Sequence, residues 1–279
     1  MLLAPVSSEL QNTAMSVPRP GRSFGQKRLT VITDYAYDFD RRELEAHESI
    51  VITLSEGGYI KRIPASTYRS QHRGGKGVVS MNTKENDPVR HILVVDTHDK
   101  LLFFTNTGRV LALTSYELRA DTSRNTRGVP IVNVVPLTDT ERVNAVFEVS
   151  DLEQEDIFLV MATKKGRIER LRLSAISSIR PSGLIMMRLK SDDELVAVRL
   201  ARHDEDIIMV SQQGMSIRFR VADVTPHHRG AAGVRGMALR SDDRVISMDV
   251  GGPDSRLLVI SRLGYGKLTP LSKYRSQGR

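Results

Sequence analysis

The residues with the clearest capacity for chemistry form one short run in the first third of the chain. Three of its last four positions are glycine, so the backbone can take up positive φ angles and approach a partner closely. Two cationic side chains and a histidine add hydrogen-bond donors and charge. This combination suits a phosphate backbone, although an ordinary solvated hairpin loop has a similar composition. The run consists of Gln71, His72, Arg73, Gly74, Gly75, Lys76 and Gly77.

Elsewhere the sequence carries no pattern typical of a catalytic or metal site. The absence of cysteine excludes disulfides, a thiol nucleophile and cysteine-ligated zinc. Phosphate-binding Gly-x-x-x-x-Gly-Lys-Ser/Thr, His-Glu-x-x-His and Ser/His/Asp arrangements do not occur. His227 and His228 lack partners at metal-ligand spacing, so they are interpreted as an exposed loop or as phosphate contacts. We therefore expect no catalytic residue, metal, cofactor or small-molecule substrate in this chain.

The charge is unevenly distributed along the 279 residues. The formal net charge is +8, whereas residues 1–56 hold eight acidic and six basic side chains. The remaining residues therefore carry the positive charge, which favours a polyanionic partner over simple solubility. Because only 5% of the residues are aromatic, stacking on single-stranded bases is disfavoured and duplex nucleic acid is the better expectation.

No segment of the sequence predicts membrane insertion or export. The longest apolar run, residues 157–162, is far shorter than the roughly 20 residues needed to cross a bilayer. The first ten residues lack the basic-then-apolar pattern of a signal peptide. A cytoplasmic protein is the expectation.

An internal repeat dominates the sequence from residue 50 onward. Five times, an apolar run is followed by Ser or Thr, two further residues and a glycine. Residues 167–173 illustrate the alternation that follows, which predicts Ile168 and Leu171 or Leu173 on one sheet face and basic residues largely on the other. A period near 50 with four short strands is typical of propeller-like folds, kelch repeats included. The five turn glycines are Gly58, Gly108, Gly166, Gly214 and Gly264.

A second glycine, flanked by arginine, follows each of the first four turn glycines. These glycines are Gly74, Gly128, Gly183 and Gly230, each 16 to 20 residues after its turn glycine. If the repeats radiate from one axis, the arginines form a basic belt around one rim. The predicted DNA-binding arginines outside the first run are Arg124, Arg127, Arg180, Arg229 and Arg235.

Three further segments differ from the repeats in composition. Residues 1–23 have no periodic apolar pattern and are predicted to be a disordered leader. Residues 24–49 are predicted to be a linker, rich in carboxylates, that leads into the repeat domain at residues 50–279. The second repeat is about eight residues longer than the others, and we assign the surplus to a solvated acidic excursion, residues 138–156.

Several of these residues resemble one known family. The run at residues 71–77 is similar to the Gln-Arg-Arg-Gly-Gly-Lys-Gly box of DNA gyrase A C-terminal domains at every position except His72. Residues 59–64, with Tyr68 and Arg69, are similar to the family's first blade. Residues 24–30 resemble the segment with which the gyrase breakage-reunion core ends.

The resemblance implies an all-β β-pinwheel, a propeller-like ring whose neighbouring blades exchange a strand. It implies six blades in an intact domain, of which this chain supplies four repeats and the opening of a fifth. It also implies a bacterial, nucleoid-associated protein that wraps double-stranded DNA and acts with the gyrase A core and gyrase B. ATP and Mg would be bound by other parts of that enzyme.

Cleavage of DNA by this chain alone is not expected. The family's catalytic tyrosine follows an arginine, and none of the seven tyrosines here does so: Tyr35, Tyr37, Tyr59, Tyr68, Tyr116, Tyr265 and Tyr274. Two alternatives stay open. One is the C-terminal domain of topoisomerase IV, whose box is usually degenerate, and the other is a propeller-type protein-interaction module.

Overall fold

A computed structural model describes residues 44–68, 77, 79, 81–82, 87–261 and 263–278. The predicted leader, most of the predicted linker and the basic run apart from Gly77 lie outside the described residues. Among the residues described, no helix is long and apolar enough to cross a membrane.

The described chain consists of short strands and single 3-10 turns. Its strands are β1 (Ser49–Ser55), β2 (Tyr59–Pro64), β3 (Val89–Asp96), β4 (Lys100–Thr105), β5 (Arg109–Thr114), β6 (Val129–Pro130), β7 (Val143–Val149), β8 (Phe158–Thr163), β9 (Arg167–Arg172), β10 (Leu184–Ile185), β11 (Leu195–Ala201), β12 (Asp206–Ser211), β13 (Ser216–Arg220), β14 (Val234–Arg235), β15 (Val245–Gly251), β16 (Arg256–Ile260) and β17 (Gly266–Pro270). The 3-10 helices are Ala65–Thr67, Ser115–Glu117, Ile131–Asn133, Leu173–Ile176, Val221–Asp223 and Leu271–Lys273.

The strands form consecutive antiparallel sheets, which we call blades 1 to 5. The strand orders are β3-β1-β2-β6, β10-β5-β4-β7, β11-β8-β9-β14, β13-β12-β15 and β16-β17. In blades 1 to 3 the fourth strand comes from the following repeat: β6 pairs with β2, β10 with β5, and β14 with β9. The all-β prediction, with four-stranded antiparallel blades that exchange a strand, is confirmed.

In blades 1 to 4 the first strand of the repeat is mostly apolar because it lies inside the sheet and is covered on both faces. Along β4, Leu101 and Phe103 pack in the core between blades 1 and 2. Leu102 and Phe104 point the other way, into the core between blades 2 and 3. The hydrophobic cores therefore lie between blades, and apolar burial holds the blades to one another.

The predicted one-sided alternation of β9 is wrong. Ile168 packs in the core between blades 3 and 4, whereas Leu171 packs in the core between blades 2 and 3. The two residues are three positions apart, an odd spacing that puts them on opposite faces of a strand. Glu169 and Arg170 are also buried, so the middle of this strand has no solvated face.

The turn glycines adopt the positive φ angle that the sequence predicts for tight hairpins. Gly58, Gly108, Gly166, Gly214 and Gly264 have φ of 81°, 82°, 78°, 81° and 85°. Gly108 is needed for a second reason, since a Cβ atom there would lie 2.4 Å from the carbonyl oxygen of Met187 in the next repeat. The turn thus also makes room for the exchanged segment.

The blades have an inner and an outer edge. β3 contacts β7, β7 contacts β11 and β11 contacts β15, so the third strands of neighbouring blades meet on the inside. In blades 1 to 3 the exchanged strand occupies the opposite edge of the sheet. The exchanged strands therefore mark the outer rim.

The predicted acidic excursion is not a single solvated loop. Strand β7 runs through residues 138–156, and Glu141 is buried with 9% of its surface exposed. The extra length of the second repeat is divided between the residues that precede β7 and those that join β7 to β8. A solvated-loop prediction remains correct for Asp151, Glu153, Glu155 and Asp156, all of which are exposed.

A carboxylate two residues before the third strand caps the first turn of each of blades 1 to 4. Asp87 accepts a hydrogen bond from the Gly57 amide at 2.6 Å. Asp193 accepts from the Lys165 amide at 2.9 Å, and Asp243 from the Gln213 amide at 3.1 Å. In blade 2 the corresponding residue is Glu141. These turns are therefore held by charge-assisted hydrogen bonds.

Glu141 is the most heavily bonded of these carboxylates. It forms an ion pair with Arg109 and accepts hydrogen bonds from the Thr107 hydroxyl at 2.7 Å and from the Thr138 amide at 2.9 Å. Burial alone would raise the pKa of Glu141, but the bonds from Arg109, Thr138 and Thr107 outweigh it and lower the pKa to about 2. The ionised side chain thus stabilises the fold.

We predict that Glu141→Gln lowers the free energy of unfolding by roughly 3 kcal/mol at pH 7, the linkage value of a pKa lowered from 4.5 to about 2. A depressed carboxyl pKa stabilises the fold fully above pH 4.5, and this stabilisation is lost as the pH falls toward about 2. Denaturant unfolding measured across this range should show that the free energy of unfolding of the wild type falls as the pH is lowered. In the variant this fall should be smaller. Glu148→Gln, at an exposed position of β7, is the control, and equal stability of the two variants at pH 7 would contradict the assignment.

Candidate nucleic-acid interface

The segments that carry the predicted arginines all cross from one blade to its neighbour. We call them the second, third and fourth corners: residues 119–130, 177–185 and 225–235. Each follows a 3-10 helix and ends in an exchanged strand, β6, β10 or β14, on the outer edge of the preceding blade. The three corners therefore occupy equivalent positions on the outer rim of blades 1, 2 and 3.

Each corner is seated by a glycine with positive φ. Gly128, Gly183 and Gly233 have φ of 79°, 81° and 66°. A Cβ atom on these glycines would lie 2.3 Å from the Ile60 oxygen, 2.7 Å from the Val110 oxygen and 2.7 Å from the Ile168 oxygen, respectively. Only glycine allows the exchanged strand to lie this close to the blade that receives it.

This geometry corrects the predicted pairing of corner glycines. The fourth corner is seated by Gly233 and not by Gly230, where an added Cβ atom would meet no other atom within 4 Å. The sequence signal was ambiguous because both glycines follow Arg229 closely. In the first repeat Gly74 lies outside the described residues, and Gly77 has a positive φ of 74°.

The structure brings the predicted arginines to the corners and leaves most of them in solvent. Arg127, Arg180, Arg229 and Arg235 are exposed, and Arg124 is half-buried. In the described part of the chain, no carboxylate forms an ion pair with any of the five. Arg127 lies over the Tyr59 ring at 5.5 Å. Uncompensated guanidinium groups on a rim are suited to bind phosphates.

Other basic residues extend these corners, and the sequence prediction missed them. Arg188 and Lys190 follow β10, and Arg240 follows β14, all three exposed. The sequence did contain a pattern that could have identified these residues, because residues 177–190 and 225–240 contain no acidic side chain. The outer surface beside blades 2 and 3 is therefore more basic than the five predicted arginines alone indicate.

A different set of cations is used to hold the corners in place. The first residue after the turn glycine is Arg109 in blade 2 and Arg167 in blade 3. Arg109 donates to the Ser182 carbonyl at 2.6 Å, and Arg167 donates to the Ala232 carbonyl at 2.6 Å. These hydrogen bonds fix the backbone of the third and fourth corners, so neither guanidinium is free for a ligand.

Arginines further along the second strand of a blade join it to its neighbour. Arg62, Arg170 and Arg218 donate to the carbonyls of Ser115, Val221 and Leu271 at 3.1, 2.9 and 3.0 Å. Each of these carbonyls belongs to the first residue of the next repeat's 3-10 helix. In blade 2 the equivalent position is Ala112, and packing in the core takes the place of the arginine.

His227 has a structural partner. Its Nδ1 lies 2.9 Å from Oε1 of Glu169, which is fully buried. Burial raises the pKa of the Glu169 carboxyl, and His227 partly opposes that shift. No group of three or more potential metal ligands occurs within the described ranges. His227 therefore fastens the fourth corner to blade 3, while His228 remains exposed.

The corners and the connection from β7 to β8 differ in charge. The corners lie beside the first turns, as shown by the hydrogen bond of 2.8 Å from the Ile131 amide to the Gly58 carbonyl. The connection from β7 to β8 lies at the other end and carries Asp151, Glu153, Glu155 and Asp156. A polyanion on the rim is thus attracted by the corners and repelled by this connection.

Comparison with known proteins identifies the family. A family model described as the DNA gyrase C-terminal domain, β-propeller, matches residues 49–96, 99–150, 158–202, 205–250 and 255–279. Each matched segment starts at the first strand of a blade or one residue before it.

Two curated relatives are similar to nearly the whole chain. The DNA gyrase A protein of Staphylococcus epidermidis is 44% identical over 259 residues, which cover 92% of this chain and 29% of the relative. The DNA gyrase A protein of Dehalogenimonas lykanthroporepellens is 42% identical over 257 residues, which cover 92% of this chain and 31% of the relative. The chain therefore spans less than a third of the length of these relatives.

Two solved structures are similar over most of the chain. The C-terminal domain of DNA topoisomerase IV has a TM-score of 0.69 and 26% identity, covering 84% of this chain and 71% of that one. The DNA gyrase A C-terminal domain has a TM-score of 0.67 and 29% identity, and the match covers 83% of this chain and 75% of that one. From the family match, the relatives and the exchanged-strand blades together, the chain belongs to the family of DNA gyrase A C-terminal β-propeller domains.

Proposed function

We propose that this chain binds and wraps double-stranded DNA as the C-terminal part of a gyrase A protein. The observation that carries the proposal is the recurrence, among the described residues, of arginines without a carboxylate partner at equivalent corners on the outer rim of three consecutive blades. DNA that follows this rim is bent around the ring, and the hand of the bend fixes the crossing presented to the catalytic core.

The proposed partners follow from this role. The gyrase A core and gyrase B supply cleavage, ATP hydrolysis and bound Mg, and this chain contributes DNA geometry to ATP-dependent negative supercoiling. It contributes no catalytic residue of its own. Its place of action is the bacterial cytoplasm, at the nucleoid.

The energetics of wrapping agree with a rim of many cations. Bending 20 to 30 base pairs costs on the order of 1 to 6 kcal/mol, which many separate phosphate contacts must offset. Arginine and lysine contacts to phosphate carry no sequence information, so binding is general and weakens steeply with salt. Arginines repeated from blade to blade provide this multiplicity along a continuous path.

The basic run at residues 71–77 belongs to the same interface in this proposal. Arg73 and Lys76 contact phosphates, and the glycines allow the backbone to lie flat against the duplex. Gln71 and His72 complete the run, and His72 contributes less charge at neutral pH than an arginine. Gly77 has a positive φ of 74°, which agrees with a backbone that needs glycine at this position.

A second candidate is the DNA-binding role of a topoisomerase IV C-terminal domain, with little wrapping. The similar TM-scores of the two solved structures support it as much as the gyrase role. The near-complete box at residues 71–77 favours gyrase. A protein-interaction module is disfavoured because the described rim presents arginines without carboxylate partners at equivalent corners.

The first test traps the topology of bound DNA. The protein is incubated with relaxed circular plasmid, a nicking-closing topoisomerase is added, and the linking number is measured. We expect a shift of constant sign that grows with protein concentration and disappears at high salt. Binding in a gel shift with no change in linking number supports the topoisomerase IV role, and a lack of any binding contradicts both DNA roles.

A second test addresses the fourth corner. Replacing Arg229 and Arg235 by alanine should lower the slope of log affinity against log salt by about 2, because each lost phosphate contact lowers it by about 0.9. Arg202→Ala is the matched control, since Arg202 is exposed in the connection from β11 to β12, away from the corners. Equal slopes for the double variant and the control would remove the fourth corner from the interface.

A third test concerns the basic run. Replacing Gly74, Gly75 and Gly77 by alanine while keeping Arg73 and Lys76 should reduce DNA bending more than DNA affinity. The charges remain, but the backbone can no longer approach the duplex closely. Bending measured by energy transfer between labelled DNA ends and affinity measured by titration separate the two effects. A parallel loss of both would contradict the proposed role of the glycines.

A further inference from the structure

Lys61 is a fully buried cation beneath the second corner. It lies in β2, three residues after the turn glycine Gly58, and its exposed surface is 0%. A lysine in such a position is unusual, because removing an ammonium group from water is costly unless hydrogen bonds replace the water. Burial lowers the pKa of Lys61, and the nearby Asp121 carboxylate partly opposes that shift.

The partners of Lys61 are backbone atoms of the second corner. Its Nζ donates to the Arg124 carbonyl and, at 2.9 Å, to the Thr126 carbonyl. The corner is also attached at both ends of this region. The Asp121 amide donates to the Arg62 carbonyl at 2.8 Å, and Gly128 lies directly against Ile60. Lys61 therefore fixes the middle of the segment that carries Arg124 and Arg127.

In the next two blades a different residue fixes the backbone of the corner. In blades 2 and 3 an arginine directly after the turn glycine, Arg109 or Arg167, donates to the corner carbonyls. In blade 1 that position is Tyr59, whose ring lies under Arg127. The residues equivalent to Lys61 in blades 2 and 3 are Leu111 and Glu169. Lys61 thus performs in blade 1 the task that arginine performs in its neighbours.

We propose that Lys61 is a positioning residue, which never touches DNA but holds Arg124 and Arg127 in the orientation that binds phosphate. The proposal rests on the DNA-binding function proposed above. The buried Lys61 side chain acts on the two arginines through its hydrogen bonds to the backbone of the corner. A buried lysine that served only global stability would have no specific link to these two arginines.

The test is a double-mutant cycle in the 279-residue chain. Lys61→Met removes the charge while keeping an unbranched side chain, and Leu111→Met at the equivalent position of blade 2 is the matched control. Duplex affinity is measured against salt for wild type, K61M, L111M, the double variant R124A/R127A, and K61M combined with R124A/R127A. Circular dichroism melting confirms that each variant is folded.

We expect K61M to lower the salt slope by about 2, the loss that R124A/R127A also produces. The combined variant should show no further loss, because Lys61 acts through the two arginines. L111M should resemble the wild type. An additive loss, or wild-type affinity of K61M while R124A/R127A is weakened, overturns the positioning role and leaves DNA binding intact. A lack of effect of R124A/R127A instead contradicts the DNA-binding function at this corner.

If K61M does not fold, a second variant tests the same proposal. Gly128→Ala displaces the same corner without removing a charge, since its Cβ would lie 2.3 Å from the Ile60 oxygen. It should lower the salt slope as R124A/R127A does and add nothing to that variant. A wild-type slope for folded G128A would contradict the requirement for a fixed second corner.

Discussion

The exchange of one strand between neighbouring repeats is the constraint on which the rest of this structure depends. In blades 1 to 3 the second strand has an outer edge whose amides and carbonyls need partners, and the following repeat supplies them through β6, β10 or β14. An unpaired edge would bind other chains. The segment that crosses between blades is therefore required to complete the sheet. The hydrogen bonds that attach this segment also position the arginines that it carries.

The joints between blades combine apolar cores with buried charge. Leu101 and Phe103 on one face of β4, and Leu102 and Phe104 on the other, tie blade 2 to both neighbours. Around these cores, Arg62, Arg170 and Arg218 donate to backbone carbonyls of the next repeat. Such bonds have specific geometry, whereas apolar contacts do not. The basic residues consequently divide into an internal set that orients blades and an external set available to a polyanion.

Much of the fold could be predicted from the sequence, because its strongest signals are local. Apolar runs followed by a glycine at nearly constant spacing predict central strands and tight turns, and Gly108 and Gly166 have the positive φ that such turns require. Residues that depend on the neighbouring blade could not be predicted. Gly230 and Gly233 look alike until the backbone of Ile168 is placed beside one of them. Glu141 looks like a solvated carboxylate until Arg109 is placed beside it.

The exchange of strands also runs in one direction, which gives the domain an order of assembly. Blade 1 has its first two strands by Pro64, but its fourth strand begins at Val129. At about 5 to 20 residues per second, a ribosome needs several seconds to synthesise the chain between them. Each of blades 1 to 3 therefore keeps one edge unpaired until later residues are made, and the next repeat completes it as that repeat emerges.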